Sequence, residues 1–300
     1  MWRGVRRRVR RSRPDVASYW SDHNVTAHHV FATKDESLAY FHWRNDQYPG
    51  YIELMPVAGF DGQCVLDFGC GPGHDLVGFG TYSACSRLVG ADVSATSIAE
   101  SRARVELHGI EAATVVTDAS GVLPFADRTF DHIHSSGVLH HTPDPVRVLK
   151  ELKRVLKPGG TMNVMVYNYE SLWLHLYVAY LRTALQGLHR GKTLREQFTH
   201  STDGEACPIS NCYRPAEWIA LCETAGLEAR CAGVAVSVFE MSLAGQRFAA
   251  IMDRRLPAES RQFLTSLEFD ERDRPMYQGV HAGIDAIYRL VRPDGDKQTL

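Results

Sequence analysis

This 300-residue chain lacks the features that mark membrane-spanning, secreted and metal-ribbon proteins. It has no run of about 20 consecutive apolar residues, the length that a membrane-spanning helix needs. Its first residues lack the apolar core of a secretory signal, so we expect a soluble, cytoplasmic protein. Its seven cysteines form no C-x-x-C pair, which argues against a zinc ribbon or a redox dithiol. With 44% hydrophobic and 23% charged residues, the chain has the composition of a globular protein.

The net charge of −2 conceals a marked asymmetry. Seven arginines lie within residues 1–13, and without them 26 basic residues face 35 acidic ones, a net charge of −9. Such an acidic globule argues against nucleic acid as a partner, because nucleic-acid binding depends on neutralising phosphates. The arm itself has the charge to contact nucleic acid, an anionic membrane or an acidic partner, and it superficially matches a transit peptide. We favour the simplest interpretation, a solvated and disordered arm.

The pattern of apolar residues predicts an α/β fold with helical additions. From residue 63 onward, short apolar runs alternate with helical patterns, as in a parallel sheet with helices on both faces. The predicted strands are Cys64–Phe68, Arg87–Ala91, Ala113–Thr117, Phe130–His134, Met162–Val166, residues 228–236 and residues 284–290. The predicted helices lie near 74–83, 95–108, 144–156, 171–190 and 215–226, with a polar linker over 191–213 and about forty helical residues after 236.

These elements suggest a division of the chain. We predict a basic arm over 1–13, a helical N-terminal cap over 14–60, a doubly wound domain over 61–292 and a tail over 293–300. Helical insertions are expected at about 170–213 and 237–280. They are predicted to cover the open end of the sheet.

A glycine-rich turn follows the first predicted strand, in the segment Asp67-Phe68-Gly69-Cys70-Gly71-Pro72-Gly73. Glycines at such a turn let the backbone approach a ligand, and the following helix offers free N–H groups. Asp92 ends the second strand, where a carboxylate accepts hydrogen bonds from ribose hydroxyls. The fingerprint of nicotinamide-binding proteins needs a third glycine where this chain has His74, which disfavours that cofactor.

The segment follows the pattern D-x-G-x-G-x-G, and it resembles motif I of the class I S-adenosylmethionine-dependent methyltransferases. Further landmarks in the same order are similar to that family: Asp118-Ala119, the approach to strand four from Leu123 to Asp131, and the entry to strand five from Leu152 to Thr161. The resemblance covers about residues 60–170. It implies a seven-stranded sheet, mainly parallel with an antiparallel last strand, and S-adenosyl-L-methionine as the methyl donor.

The resemblance also implies which residues contact the donor. Asp118-Ala119 sits where the family contacts the adenine. The implied donor-binding residues are Asp67, Gly69, Cys70, Gly71, Gly73, Asp92, Val93, Asp118, Ala119 and Ser135. The simpler alternative for Asp118 alone is an ordinary polar residue at a strand end.

The catalytic candidates lie around the end of the fourth strand, which the fold places beside the donor. His140 is the first candidate for a general base, because imidazole titrates near neutral pH, and His141 and Tyr167 are the reserves. The alternative is that the His140-His141 pair only shapes its loop. His132 and His134 share one face of a strand, but no third ligand accompanies them, so we predict no metal.

The acceptor is predicted to be a small molecule. The family's enzymes for planar nitrogens carry an Asn/Asp-Pro-Pro-aromatic signature where this chain has Ser135-Ser136-Gly137-Val138. That departure leaves O-, C-, S- or aliphatic N-methylation. Two alternatives remain: an RNA or protein methyltransferase docked through the arginine-rich arm, and a non-catalytic cofactor-binding or interaction protein.

Overall fold

The computed structural model describes residues 15–118 and 121–294. The arm over 1–13, Ala119 and most of the predicted tail lie outside the described residues. Three short helices come first: α1 (Val16–Asp22), α2 (Lys34–Asp46) and α3 (Tyr51–Leu54). Asp15 and Thr33 cap α1 and α2 by accepting hydrogen bonds from the backbone of the first turn.

A seven-stranded sheet forms the centre of the described chain. Its strands are β1 (Cys64–Phe68), β2 (Arg87–Asp92), β3 (Ala112–Val116), β4 (Phe130–Ser136), β5 (Leu156–Tyr167), β6 (Glu228–Ala235) and β10 (Asp285–Val291). Their order is β3-β2-β1-β4-β5-β10-β6, and β10 runs antiparallel to both of its neighbours. The predicted doubly wound, mainly parallel sheet with an antiparallel last strand is therefore confirmed.

Helices cover both faces of this sheet. They are α4 (His74–Tyr82), α5 (Ala95–His108), α6 (Pro145–Val155) and α8 (Pro215–Thr224). The apolar face of α6 packs Leu149 and Leu152, both fully buried, into the largest core cluster with Trp218 from α8. On the other side, Phe41 from α2 and Phe79 from α4 pack together with Val65 from β1. The parallel strands therefore end at one protected edge.

The segments after β5 differ in part from the prediction. A π-helix over Trp173–Leu185 lies within the helical stretch predicted over 171–190, whereas the predicted linker 191–213 contains α7 (Leu194–Ser201). This helix begins with a capping box in which Thr193 and Glu196 bond each other's backbone, a signal present in the sequence. No helix within the described ranges is long and apolar enough to cross a membrane.

The second insertion is helical only in its first part. It contains α9 (Val238–Leu243), a 3-10 turn over Ala244–Gln246, α10 (Arg247–Met252) and α11 (Ala258–Thr265). A small antiparallel sheet follows, formed by β7 (Glu268–Phe269), β8 (Pro275–Tyr277) and β9 (Val280–His281). The prediction of helix up to residue 280 is wrong here, because the Asp270 carboxylate accepts hydrogen bonds from the backbone of Arg272 and Arg274 and folds a tight turn.

Candidate active site

A cavity of about 280 Å³ opens at the edge where the parallel strands end. One end of it, which we call the donor end, is formed by the loops after β1, β2 and β4. The other, the acceptor end, is formed by α1 to α3, the end of β5, the loop after α7 and the start of β10. The donor end includes Gly69, Cys70, Gly71, Asp92, Val93, Thr117, Gly137 and Val138. The acceptor end includes Trp20, Arg44, Tyr48, Tyr51, His141, Met165, Tyr167, Asp203 and Asp285.

The glycine loop has no room for side chains at its first turn. Gly69 has a φ of +78°, and a Cβ atom built there would collide with the Val138 side chain. Gly73 has a φ of +79°, and a Cβ atom there would lie 2.9 Å from Ser101 Oγ and 3.2 Å from Ser101 Cα. Both positions therefore require glycine, and the loop holds α4 with its first N–H groups near the cavity.

Asp92 lines the donor end and braces the glycine loop. Its Oδ2 accepts a hydrogen bond of 2.9 Å from Gly71 N, and its Oδ1 accepts one of 2.8 Å from Ser94 N. Burial raises the pKa of Asp92, while these backbone hydrogen bonds lower it. Each oxygen retains a lone pair, so the carboxylate remains able to accept hydrogen bonds from a ligand.

Four of the predicted donor-binding residues do not line the cavity: Asp67, Gly73, Asp118 and Ser135. Asp67 and Ser135 are buried beneath it, and Asp118 is exposed. Burial, followed by the negative charges of Asp75 and Asp92, raises the pKa of Asp67 well above its ordinary value. Thr117 lines the cavity where Asp118 was predicted. Ala119 lies outside the described residues.

His140 does not face the cavity. Its side chain is fully buried, its ring lies 3.8 Å from the Tyr167 ring, and neither ring nitrogen has a hydrogen-bond partner among the described residues. Burial, and then the proximity of His141, lowers the pKa of His140 well below its ordinary value. His140, the first candidate for a general base, therefore packs beneath the cavity. The neighbouring His141 lines the cavity.

His141 presents one ring nitrogen to the cavity. Its Nδ1 lies 2.6 Å from the carbonyl oxygen of Ile209, which requires the proton to be on Nδ1. Nε2 is then unprotonated, and it lies 4.0 Å from Asp203 Oδ2. Burial lowers the pKa of His141, whereas Asp203 and the Ile209 carbonyl raise it. Nε2 of His141 is therefore able to accept a proton, and the Asp203 carboxylate lies beside this nitrogen.

Asp203 is a site residue that the sequence analysis missed. Its Oδ1 accepts a hydrogen bond of 2.9 Å from the Tyr167 hydroxyl, and its Oδ2 accepts one of 2.6 Å from the Ser210 hydroxyl. Tyr19 donates a hydrogen bond to the Asp203 carbonyl. Because burial and Asp203 raise the pKa of Tyr167 well above its ordinary value, its hydroxyl keeps its proton and acts as a donor.

Cys207 lies next to this pair, so that ligand-type atoms of His141, Asp203 and Cys207 fall within 4.8 Å of one another. These residue types bind metals, but both Asp203 oxygens already accept hydrogen bonds from hydroxyl groups. The three residues therefore form a polar cluster whose hydrogen bonds go to neighbouring groups, among them Tyr167, Ser210 and the Ile209 carbonyl. The expectation that the site holds no metal stays a prediction.

Two further ionisable groups at the acceptor end were not predicted. Arg44 lines the cavity, and no hydrogen bond or ion pair joins its guanidinium to a residue of the described ranges. Burial lowers the pKa of Arg44, but the charge of the nearby Asp75, together with nearby tyrosines, outweighs it and the pKa is raised. Asp285 also lines the cavity. Burial, and then the nearby Glu240, raises the pKa of Asp285 to about 8. The acceptor end therefore combines an unpaired cation with a carboxyl group that is protonated at neutral pH.

Comparison with known protein families identifies the centre of the chain. Residues 66–164 match the model described as "Methyltransferase domain". This range contains the glycine loop, Asp92 and the His140-His141 pair. It excludes all three N-terminal helices and the residues Tyr167, Asp203 and Asp285.

Three curated relatives share parts of the chain. The methyltransferase GfsG of Streptomyces halstedii is 35% identical over half of this chain and 56% of its own length. A demethylmenaquinone methyltransferase of Anoxybacillus flavithermus is 31% identical over 47% of this chain and 58% of its own length. A tRNA U34 carboxymethyltransferase of Campylobacter curvus is 32% identical over 36% of this chain and 35% of its own length. The chain thus spans about a third to three-fifths of these relatives.

A solved structure extends the likeness to most of the fold. A putative methyltransferase of Haloferax volcanii, solved in complex with the Trm112 methyltransferase activator, has a TM-score of 0.54 at 21% identity. The match covers 87% of this chain and 95% of that one. At this identity the likeness concerns the fold alone.

Proposed function

Because this chain belongs to the class I S-adenosylmethionine-dependent methyltransferases, we propose that it transfers a methyl group from that donor to a small-molecule acceptor. The observation that carries the proposal is that the glycine loop and His141 line the same cavity. It gives a donor site and a basic nitrogen access to the same enclosed space.

The described residues fit the donor. Gly69 leaves a cradle that a Cβ atom would fill, and Asp92 offers carboxylate lone pairs for the ribose hydroxyls. The unpaired guanidinium of Arg44 would hold the carboxylate of the methionine part. Gly71, Cys70 and Val93 line the same end, as the family resemblance implies. When bound, S-adenosylmethionine supplies a methyl group on a positively charged sulfur. A nucleophile can take this methyl group and displace the sulfur.

His141 is proposed to take the proton that the acceptor loses. Its Nε2 is unprotonated in the tautomer fixed by Ile209, and Asp203 lies close enough to stabilise the imidazolium that forms. Tyr167 keeps Asp203 oriented through its hydroxyl. The acceptor would therefore lie between His141 and the donor's methyl group, which is the arrangement that an in-line displacement requires.

The shape of the acceptor end supports a small acceptor. Trp20 from α1 and Tyr48 and Tyr51 around α3 cover the cavity, and Trp20 packs against the His141 ring at 4.7 Å. A cover of this kind leaves room for a compact molecule and supports a small acceptor over a folded macromolecule. The quinone named for one relative is a small acceptor of this general kind.

The test is transfer of a labelled methyl group from S-adenosylmethionine to a panel of small hydroxyl, thiol and aliphatic amine compounds. We expect label in at least one small molecule and none in RNA or protein. Label only in RNA or protein would contradict the small-acceptor proposal and leave the methyltransferase assignment intact. No transfer, together with no donor binding, would favour the non-catalytic alternative.

The tRNA enzyme among the relatives makes RNA the specific second candidate. A chain that lacks residues 1–13 separates the two. If the arm docks RNA, its removal weakens RNA binding and RNA methylation together. If the acceptor is small, removal leaves turnover unchanged.

A further inference from the structure

A row of polar side chains crosses the sheet away from the cavity described above. Backbone pairing places His132 of β4 opposite Thr161 of β5, Asn163 of β5 opposite Arg289 of β10, and Arg289 opposite Arg230 of β6. Directly paired residues of adjacent strands point to the same face. The five side chains therefore share one face of the sheet.

They line a second cavity, of about 620 Å³, near the edge of the sheet opposite the donor loop. Pro56 and Phe60, which precede β1, form its apolar side. The end of β10 and the start of β6 form its floor. Nothing in the proposed methyl transfer uses this cavity.

Its two arginines lack a counter-ion. Arg289 and Arg230 face each other directly across two strands, an arrangement that destabilises a sheet when both charges are unpaired. Neither guanidinium makes an ion pair or hydrogen bond with any residue in the described ranges, and Arg289 Nη1 is buried without a partner. Burial, and then the charge of Arg230, lowers the pKa of Arg289.

A third group with an open hydrogen-bonding position completes the cluster. The His132 side chain is only 1% exposed, its Nδ1 lies 2.8 Å from the Thr161 hydroxyl, and its Nε2 has no partner. If the hydroxyl donates to Nδ1, Nε2 carries a proton and becomes a donor. A buried donor without a partner costs free energy unless a ligand satisfies it.

We propose that this cavity binds an oxyanion, the phosphate or carboxylate group of a small molecule. Arg289 and Arg230 supply the charge. In the tautomer in which Thr161 donates to Nδ1, His132 Nε2 supplies a neutral donor, and the three groups match the acceptor-only oxygens of such a group. Glu228 also lines the cavity and is exposed, as is Arg230, and it makes no ion pair with either arginine. The site is separate from the proposed donor and acceptor sites.

The probe is inorganic phosphate, added to the full chain against sodium chloride of equal ionic strength, with the unfolding temperature and calorimetric binding as readouts. We expect phosphate to raise the unfolding temperature of the wild type. Arg230→Gln should abolish that shift and also raise the unfolding temperature without phosphate, because it removes the repulsion between the arginines. Arg254→Gln, an exposed arginine outside the cavity, should behave like the wild type.

Acetate and succinate form a second arm, which distinguishes a carboxylate ligand from a phosphate. Arg289→Gln tests the buried arginine, and Arg230→Gln keeps the test decisive if Arg289→Gln does not fold. An equal phosphate shift in Arg230→Gln and the wild type would overturn the proposal. So would the absence of any shift with all three anions. Binding of S-adenosylhomocysteine should be unchanged in Arg230→Gln, whichever result is obtained.

Discussion

The two ends of the main cavity are built in different ways. The donor end comes from short loops that each follow a strand, between Gly69 and Val138, and all of it lies within the region that matches the methyltransferase domain. The acceptor end gathers side chains from Trp20 to Asp285, most of them outside that region. One end therefore follows the connections between the parallel strands, and the other is assembled mostly from segments outside the matched region.

This difference separates the expected effects of mutation. A change at the donor end should weaken binding of the donor, whatever the acceptor is. A change at the acceptor end should reduce turnover and leave donor affinity unchanged, except at Arg44, which is proposed to hold the donor's carboxylate. A donor-end mutation that leaves donor affinity unchanged, or any other acceptor-end mutation that alters it, would show that the two ends are not independent.

The largest effect on donor affinity is expected for Gly69→Ala. The new methyl group meets the Val138 side chain at a backbone conformation that disfavours any L-residue, so we expect donor affinity to fall by about 100-fold or more. Calorimetry with S-adenosylhomocysteine measures the change. The matched control is Gly62→Ala, a turn glycine with φ of +72° and no atom within 4 Å of its Cβ position, which should retain binding. Equal losses in both variants would refute the collision argument.

The next effect concerns His141→Asn. The amide preserves the hydrogen bond to Ile209 and removes Nε2, so kcat should fall by roughly 10²- to 10⁴-fold while donor affinity is retained. Because burial lowers the pKa of His141, its basic form persists below pH 6.5, and the wild type should lose activity only under more acidic conditions. Unchanged kcat in the variant would remove His141 from the mechanism.

Asp92→Ala should have a smaller effect than the glycine variant and act on the same step. Loss of hydrogen bonds to a charged carboxylate costs about 1.5–3 kcal/mol, or a decrease in donor affinity of roughly 10- to 100-fold. Asp144→Ala provides a control, because it removes the helix cap of α6 without touching the cavity. A decrease in both variants would indicate general destabilisation instead of a lost ribose contact.

The smallest effect is a change in stability with pH. Asp285 has its pKa raised from 3.8 to about 8, so the folded chain holds a proton that the unfolded chain releases. Stability contributed by this group is full below the unfolded value and is lost as the pH rises toward the folded one. Asp285→Asn should therefore flatten the fall in unfolding temperature between about pH 4 and pH 8. The exposed Asp46→Asn serves as control, and an unchanged slope in Asp285→Asn would contradict the assignment.

Sequence patterns predicted the donor end because local rules determine it. The order of strands, the glycine turn and Asp92 at the end of β2 all follow from periodicity and from a motif whose residues are adjacent in the chain. Sequence patterns could not choose between His140 and His141. The two residues are adjacent, and only the turn after β4 determines which ring faces the cavity. The structure distinguishes them because only His141 lines the cavity.

Local sequence patterns could not predict the acceptor end. Arg44 and Asp203 lie 159 positions apart, and no spacing connects them to His141. The capping box before α7 was a signal in the sequence that would have identified that helix. By contrast, the paired arginines of β6 and β10 become neighbours only through strand register.

The assignment of the methyl donor is tested most directly by calorimetric titration of the wild-type chain with S-adenosylhomocysteine, with NADH as the parallel ligand. We predict micromolar binding of S-adenosylhomocysteine, a free energy of about −8 kcal/mol, and no binding of NADH. Binding of NADH, or no binding of either ligand, would contradict the assignment of the glycine loop and Asp92 to the methyl donor.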